Sequence, residues 1–365
     1  MCMTAGLALA GHAMQASAAW SAFTDIFSHS YSEPFEIHAT VNELDGSLRD
    51  GDWGFTHDHV EMGVGWNSWS VSAFARYDYL IEANDDTAEL AFLSENDLPV
   101  PPGRTYQIKL RVNHSRSRGF KIGYSWQPLD TLSFKFAAAY LSADSLLDGG
   151  GSGELQMLDT GIYDGYAFVD YTYSRDPLFD RRVPKQKGRG YALDVGFRWQ
   201  VTPRWRVSLS AYDLIARIRW PDVPFTRAGL TSSTVAFDDQ GFIDVSPVVS
   251  GIEDERNHNQ RLPPRVTLGG AFQLNDRIAL TGNVMAISDH YLPEVGVQWR
   301  GGGSRTWTVA VNPGLGGLSL GFETPRVNVV LTSHASEVHK SHYLKVGIAF
   351  RVGGATSVPY ATSAP

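Results

Sequence analysis

The chain has a single cysteine, Cys2, among its 365 residues. One thiol cannot form an intrachain disulfide or a cysteine-rich metal site. No run of about 18 or more uncharged apolar residues exists, so no segment reads as a transmembrane helix. No lysine or arginine precedes Arg49. The basic stretch that opens an export signal is therefore absent, although Met3–Ala10 is apolar and Ala16-Ser17-Ala18 fits a small-residue cleavage site. The expectation is a signal peptide over residues 1–18, its start lying within a longer signal. Hydrophobic residues make up only 43% of the chain, and the mean hydropathy is -0.19.

What the chain does have is alternation. Val60, Met62, Val64 and Trp66 point one way, and Glu61, Gly63 and Gly65 the other. Asn67-Ser68 turns the chain, and Trp69, Val71, Ala73, Ala75, Tyr77 and Tyr79 resume the apolar face. The same unit recurs around Gln127–Asp130, Thr202–Arg204 and Asn275-Asp276. Segments of about ten alternating residues between turn residues are the pattern of a transmembrane β-barrel. A soluble sandwich also alternates, but its strands usually run only about 5 to 6 residues. Tryptophans also flank the tight turns here: Trp66, Trp69, Trp126, Trp199 and Trp205. That is the place of an interfacial girdle.

The fold class predicted is all-β, a transmembrane antiparallel up-and-down barrel of about 16 strands (range 14 to 18). Residues 35–352 form the barrel, 19–34 an N-terminal periplasmic or lumenal segment, and 353–365 a tail. Short turns near 67–68, 128–130, 202–203, 275–276, 301–304 and 324–325 mark the periplasmic end. Longer connections at Arg175–Gly188, Trp220–Arg261, Asn312–Gly316 and His334–Ser341 face outward. The longest of them, Trp220–Arg261, is expected to fold inward as a constriction. Two weak strands are placed near Thr87–Phe92 and Glu154–Thr160.

Parity assigns the lumen face. Its cations are Arg76, Lys109, Arg111, Lys121, Lys135, Arg198, Arg206, Arg265, Arg277, Arg300, Arg326, Lys345 and Arg351. Its acids are Glu61, Asp78, Asp170, Asp194, Glu294 and Glu323. The lumen is thus basic, although the chain carries net charge -8. Arg76, Lys109, Arg111, Lys121 and Lys135 should gather on one wall, and like charge on a pore wall sets selectivity, basic charge favouring anions. The alternative is that these positions are simply polar, with cations and carboxylates paired across strands.

Other clusters are weaker. His334, His339 and His342 lie in one outward connection, and His114-Ser115-Arg116-Ser117-Arg118 forms a basic stretch. Ser288-Asp289-His290 holds triad residue types, but consecutive residues cannot form a nucleophile–base–orienter array. Parity places no Ser–His pair on the outer wall.

As a whole, residues 35–352 resemble bacterial outer-membrane porins in size, turn asymmetry and aromatic placement. Locally, Leu262-Pro263-Pro264-Arg265-Val266-Thr267-Leu268-Gly269 resembles a phrase of the long-chain fatty-acid transporter family. Gly317-Leu318-Ser319-Leu320-Gly321-Phe322 is similar to that family's late strands. The first resemblance implies a diffusion channel for hydrophilic, anionic solutes; the second implies a barrel for hydrophobic compounds. A barrel component of a polysaccharide or protein export system is the third reading. All three place the chain in the bacterial outer membrane, with no cofactor and no covalent chemistry. The expected partners are outer-membrane lipid, lipopolysaccharide and small hydrophilic solutes, not nucleic acid; self-association is left open.

Overall fold

The computed structural model describes residues 20–42, 44–159, 162–179, 181–232, 235–237, 243–245, 248–314 and 316–353. The expected signal peptide and C-terminal tail lie outside these residues, apart from Gly353. The strands are β1 (Trp20–Ser32), β2 (Trp53–Trp66), β3 (Trp69–Ala83), β4 (Thr105–Leu129), β5 (Leu132–Asp159), β6 (Ile162–Tyr173), β7 (Gly188–Gln200), β8 (Trp205–Thr231), β9 (Val235–Phe237) and β10 (Ile243–Val245). They continue as β11 (Val248–Arg261), β12 (Arg265–Gln273), β13 (Ile278–Ile287), β14 (His290–Arg300), β15 (Thr306–Val311), β16 (Leu318–Glu323), β17 (Val327–Ser333) and β18 (Tyr343–Gly353).

One antiparallel sheet of 16 strands holds all of these except the small β9–β10 pair. Fourteen strands close the barrel. β1 pairs β18, β4 pairs β5, β5 pairs β7, β7 pairs β8, and β8 passes the ladder to β12. Closure removes the sheet edges that would leave backbone groups unpaired in lipid. β6 and β11 are the two extra strands. They pair with the far halves of β5 and β8, which run 28 and 27 residues. These long strands continue beyond the closed wall as an extracellular extension.

Four expectations change here. Residues 20–32 are no separate segment: they are β1, hydrogen-bonded on both sides within the wall. The segment around Thr87–Phe92 is a helix, α1 (Asp85–Glu95), not a strand. Asn84 precedes it, and Asp85 and Asp86 fill its first turn, where negative charge meets the helix dipole favourably. Glu154 belongs to the long β5, and most of Trp220–Arg261 is ladder in β8 and β11 rather than an inward loop.

The lipid level is set by tryptophan. Of ten Trp residues, eight (Trp20, Trp66, Trp69, Trp126, Trp199, Trp205, Trp299 and Trp307) are exposed on the outer wall beside the short turns. Tyr77, Tyr140, Tyr191 and Tyr291 are exposed toward the other end. Between the two bands lie exposed apolar side chains such as Val60, Met62, Ile122, Leu280 and Leu320. A closed barrel with an apolar band between aromatic girdles is an outer-membrane barrel.

Candidate functional site

Fourteen strands enclose more space than the eight whose side chains just fill a barrel. The question is therefore what occupies the lumen. Toward the loop end it holds an apolar cluster of Tyr31, Trp53, Phe55, Leu80, Ile287, Leu292 and Tyr343, with Met285 against it. Trp53 stacks on His290 with centroids 4.1 Å apart. Neighbouring strands contribute these residues from their inward positions.

Below this cluster the charges are paired. Arg76 Nη1 donates to Asp213 Oδ1 at 2.8 Å, and Arg265 Nη2 to Asp213 Oδ2 at 2.7 Å. Asp78 sits 3.0 Å from Arg76 Nε and 2.8 Å from His57 Nδ1. A second network joins Lys121 Nζ to Glu61 at 3.1 Å and to Asp194 at 3.2 Å, with His59 2.9 Å from Glu61. Ser72 also donates to Glu61. Lys345 pairs with Glu294 at 3.1 Å. Opposite charges within ion-pair distance offset the cost of holding them in a poorly hydrated interior, provided each keeps its partner.

Asp213 is central to this, and parity does not place it in the lumen. Tyr212 holds the regular inward position. Asp213 has a positive φ of 56°, and the β7–β8 register shifts between Leu193 and Val195. A bulge re-aims the extra side chain, and aspartate tolerates the left-handed region better than most residues. His29, His57 and His59 escape the sequence reading for a simpler reason: β1 is placed outside the wall there, and alternation is read only from Val60 onward.

Four cavities run in sequence down the lumen, linked by shared walls. The mouth holds about 450 Å³, lined by Leu80, Arg111, Asn113, Leu262 and Pro263 among others. A throat of about 30 Å³ follows, sharing Leu80, Leu262 and Pro263 and adding Phe55, Ile287 and Arg265. Next is a chamber of about 100 Å³ with Phe27, Phe55, Met285, Leu292 and Arg265. The last, of about 50 Å³, reaches from Arg265 and Tyr212 down to Lys135. Arg265 borders the lower three. The start of the Leu262–Gly269 phrase singled out in the sequence is thus the connection that enters the throat.

The five cations expected on one wall stand on the neighbouring strands β3, β4 and β5, but at different heights. Arg76 and Lys121 are in the lumen and ion-paired. Lys135 lies lower, bordering the last cavity. Arg111 borders the mouth. Lys109 lies at the end of β3's ladder, its backbone N–H donating to Asn84 Oδ1 and Thr87 Oγ1 beside α1. Asp170, also expected in the lumen, is on β6 in the extension, paired with Arg227 and Arg256. Arg277 and Arg326 fall in periplasmic turns.

The outer wall holds two further features. A larger cavity, about 1010 Å³, lies outside the lumen near the loop end. Outward-facing Ser30, Thr56, Tyr77, Tyr79 and Leu344 form its floor, and Phe35, Ile37, Leu44 and α1 residues Ala88 and Ala91 its cover. Second, His114 Nε2 is 3.0 Å from Ser145 Oγ, and its Nδ1 is 2.9 Å from the Asp78 carbonyl oxygen. A register shift between Arg116 and Ser117 brings Ser145 to this face, so simple parity misses the pair. In the 334–342 connection, His334 and His342 rings meet edge to face at 5.7 Å, while His339 lies on Glu337. Burial pushes the pKa of both His334 and His342 down, with Arg49 acting in the same direction.

No protein-family model matches the chain, and no curated protein matches it. Among solved structures it is similar to the TodX deltaS2S3 mutant monoaromatic hydrocarbon channel, at 10% identity over 92% of this chain and 90% of that one, TM-score 0.44. It is similar to the CymD monoaromatic hydrocarbon channel at 12% identity, over 92% and 87%, TM-score 0.39. A Pseudomonas aeruginosa FadL homologue gives 10% identity over 92% and 88%, TM-score 0.35. At these identities the likeness concerns the fold alone.

Proposed function

We propose that this outer-membrane barrel is a channel for small hydrophobic compounds, rather than a water-filled pore for hydrophilic anions. The apolar lining of the lumen route carries this reading. From mouth to chamber the cavities are bordered by Leu80, Leu262, Phe55, Ile287, Met285 and Leu292, beside charged groups such as Arg111, Arg265 and Glu294. A diffusion pore for ions keeps a polar, hydrated interior. Here the mid-lumen charges answer one another, and the throat narrows to about 30 Å³. The covered groove on the outer wall supports the same reading, since it offers an apolar molecule a sheltered place beside the outer leaflet.

The test is uptake of a neutral aromatic compound into proteoliposomes, set beside single-channel recording in planar bilayers. The expected result is protein-dependent uptake with little steady ion current. Met285→Lys should cut uptake at least about tenfold while the protein keeps its heat-modifiable migration, because a charge in the chamber raises the cost of desolvated passage. A large ohmic, anion-selective current with no uptake of the neutral compound would overturn the reading in favour of the anion pore.

A further inference from the structure

The periplasmic end of the lumen differs from the middle. Lys135 is the fourth residue of β5, Arg198 is two residues from the end of β7, and Arg206 is the second residue of β8. Arg300 ends β14, and Arg351 is two residues from the end of β18. Their neighbours Phe136, Trp199, Trp205, Trp299 and Phe350 are exposed on the outer wall, so alternation turns the five cations inward. They converge: the ladders set Arg198 diagonally between Lys135 on β5 and Arg206 on β8. Lys135 feels the charges of Arg198 and Arg351, and Arg206 those of Arg198 and Arg300. Glu323 is the acid that acts on Arg206. Among the described residues, no carboxylate lies within ion-pair distance of Arg198, Arg206, Arg300 or Arg351.

Converging like charges cost free energy unless a counter-charge joins them. Guanidinium groups offer forked donors that match the geometry of planar or tetrahedral oxyanions. We infer that the four arginines of this ring, Arg198, Arg206, Arg300 and Arg351, form an oxyanion-binding site, taking carboxylate, sulfate or phosphate groups at the periplasmic mouth. The anion is either a free periplasmic ion or the anionic group of a solute leaving the lumen. The site goes beyond the hydrophobic route, because it rests on different residues at a different depth.

The test is phosphate binding to the purified barrel in a zwitterionic detergent, followed by ³¹P line width. Wild type should bind inorganic phosphate saturably, and the affinity should fall as salt rises, because Arg198 and Arg300 at the site are exposed to solvent. The R198Q/R206Q/R351Q variant should bind at least about tenfold more weakly. If that variant loses heat-modifiable migration, Arg351→Gln alone should weaken binding several-fold and Arg351→Lys should restore part of it. A second arm competes benzoate and benzyl alcohol against phosphate. Displacement by benzoate beyond that by acetate points to a transported solute as the source, and equal displacement points to a free ion. Absence of saturable phosphate binding in wild type, or equal binding by the folded triple variant, would overturn the site. Uptake of the neutral aromatic compound should be unchanged in the triple variant, so failure of the anion site and failure of the hydrophobic route are read separately.

Discussion

The middle and the periplasmic end of the lumen use the same strands, yet they hold charge in opposite ways. In the middle, Arg76, Arg265 and Lys121 each touch at least one carboxylate, and Asp213 is only 2% exposed. At the periplasmic end, Arg198 and Arg300 are exposed, and among the described residues no ion pair holds them. The difference follows access to water. A charge shut among Phe55, Leu80 and Ile287 must bring its own counter-ion. One at an open mouth is hydrated and needs none for folding. Paired charge and open charge are therefore told apart by burial and partners, not by sign.

The sharpest way to break this comparison is to remove one buried partner. Asp213→Ala leaves Arg76 and Arg265 inside the barrel without their shared carboxylate. The expected loss is about 3–5 kcal/mol, read as a lower midpoint in urea unfolding followed by the heat-modifiable gel shift. Arg198→Gln, at the open end, should move that midpoint by no more than about 0.5 kcal/mol. Equal effects would show that the two regions are not built differently.

The outer wall offers a somewhat smaller effect. Met62 is 58% exposed in the apolar band and its neighbour Glu61 is buried in the lumen. Met62→Arg places a charge in hydrocarbon and should cost about 2–4 kcal/mol near the midplane. Met62→Leu should be nearly silent in the same assay. A silent Met62→Arg would mean that this face does not meet lipid.

Much of the wall was legible because alternation and turn chemistry are local. Asn67-Ser68 turns β2 into β3 with Asn67 at φ 53°, and the Trp residues beside such turns gave the membrane level directly. What was not legible depends on distant partners. Asp213 enters the lumen only through a bulge against β7, and Ser145 reaches His114 only through another against β4. The pairing of Arg76 with Asp213 spans 137 positions, a distance no spacing rule covers. Thr87–Phe92 was misread because its alternating apolar residues sit in a segment whose helix start, Asn84-Asp85-Asp86, is a capping signal and not a strand turn. The extension of β5 and β8 beyond the wall carries the same alternation as a membrane strand, so periodicity alone could not show where the membrane stops.

The smallest expected effect concerns that helix and its pH dependence. Asp86 accepts the Gln107 backbone N–H at 2.8 Å and Arg104 Nη2 at 2.7 Å. The Gln107 hydrogen bond, with Arg104 beside it, outweighs partial burial and holds the Asp86 pKa below its ordinary value. A carboxyl depressed in the folded state adds stability that is fully present above its unfolded pKa, about 3.9, and is lost as pH falls through the folded value. Docking of α1 on β4 should therefore be flat from neutral pH down to about 5 and weaken only in stronger acid. Hydrogen exchange at the Gln107 amide reads this directly. Wild type should lose protection there below about pH 4, while Asp86→Asn should begin with less protection and lose little more. Protection that falls equally in both proteins would assign the acid response to other groups and leave Asp86 a bystander of α1.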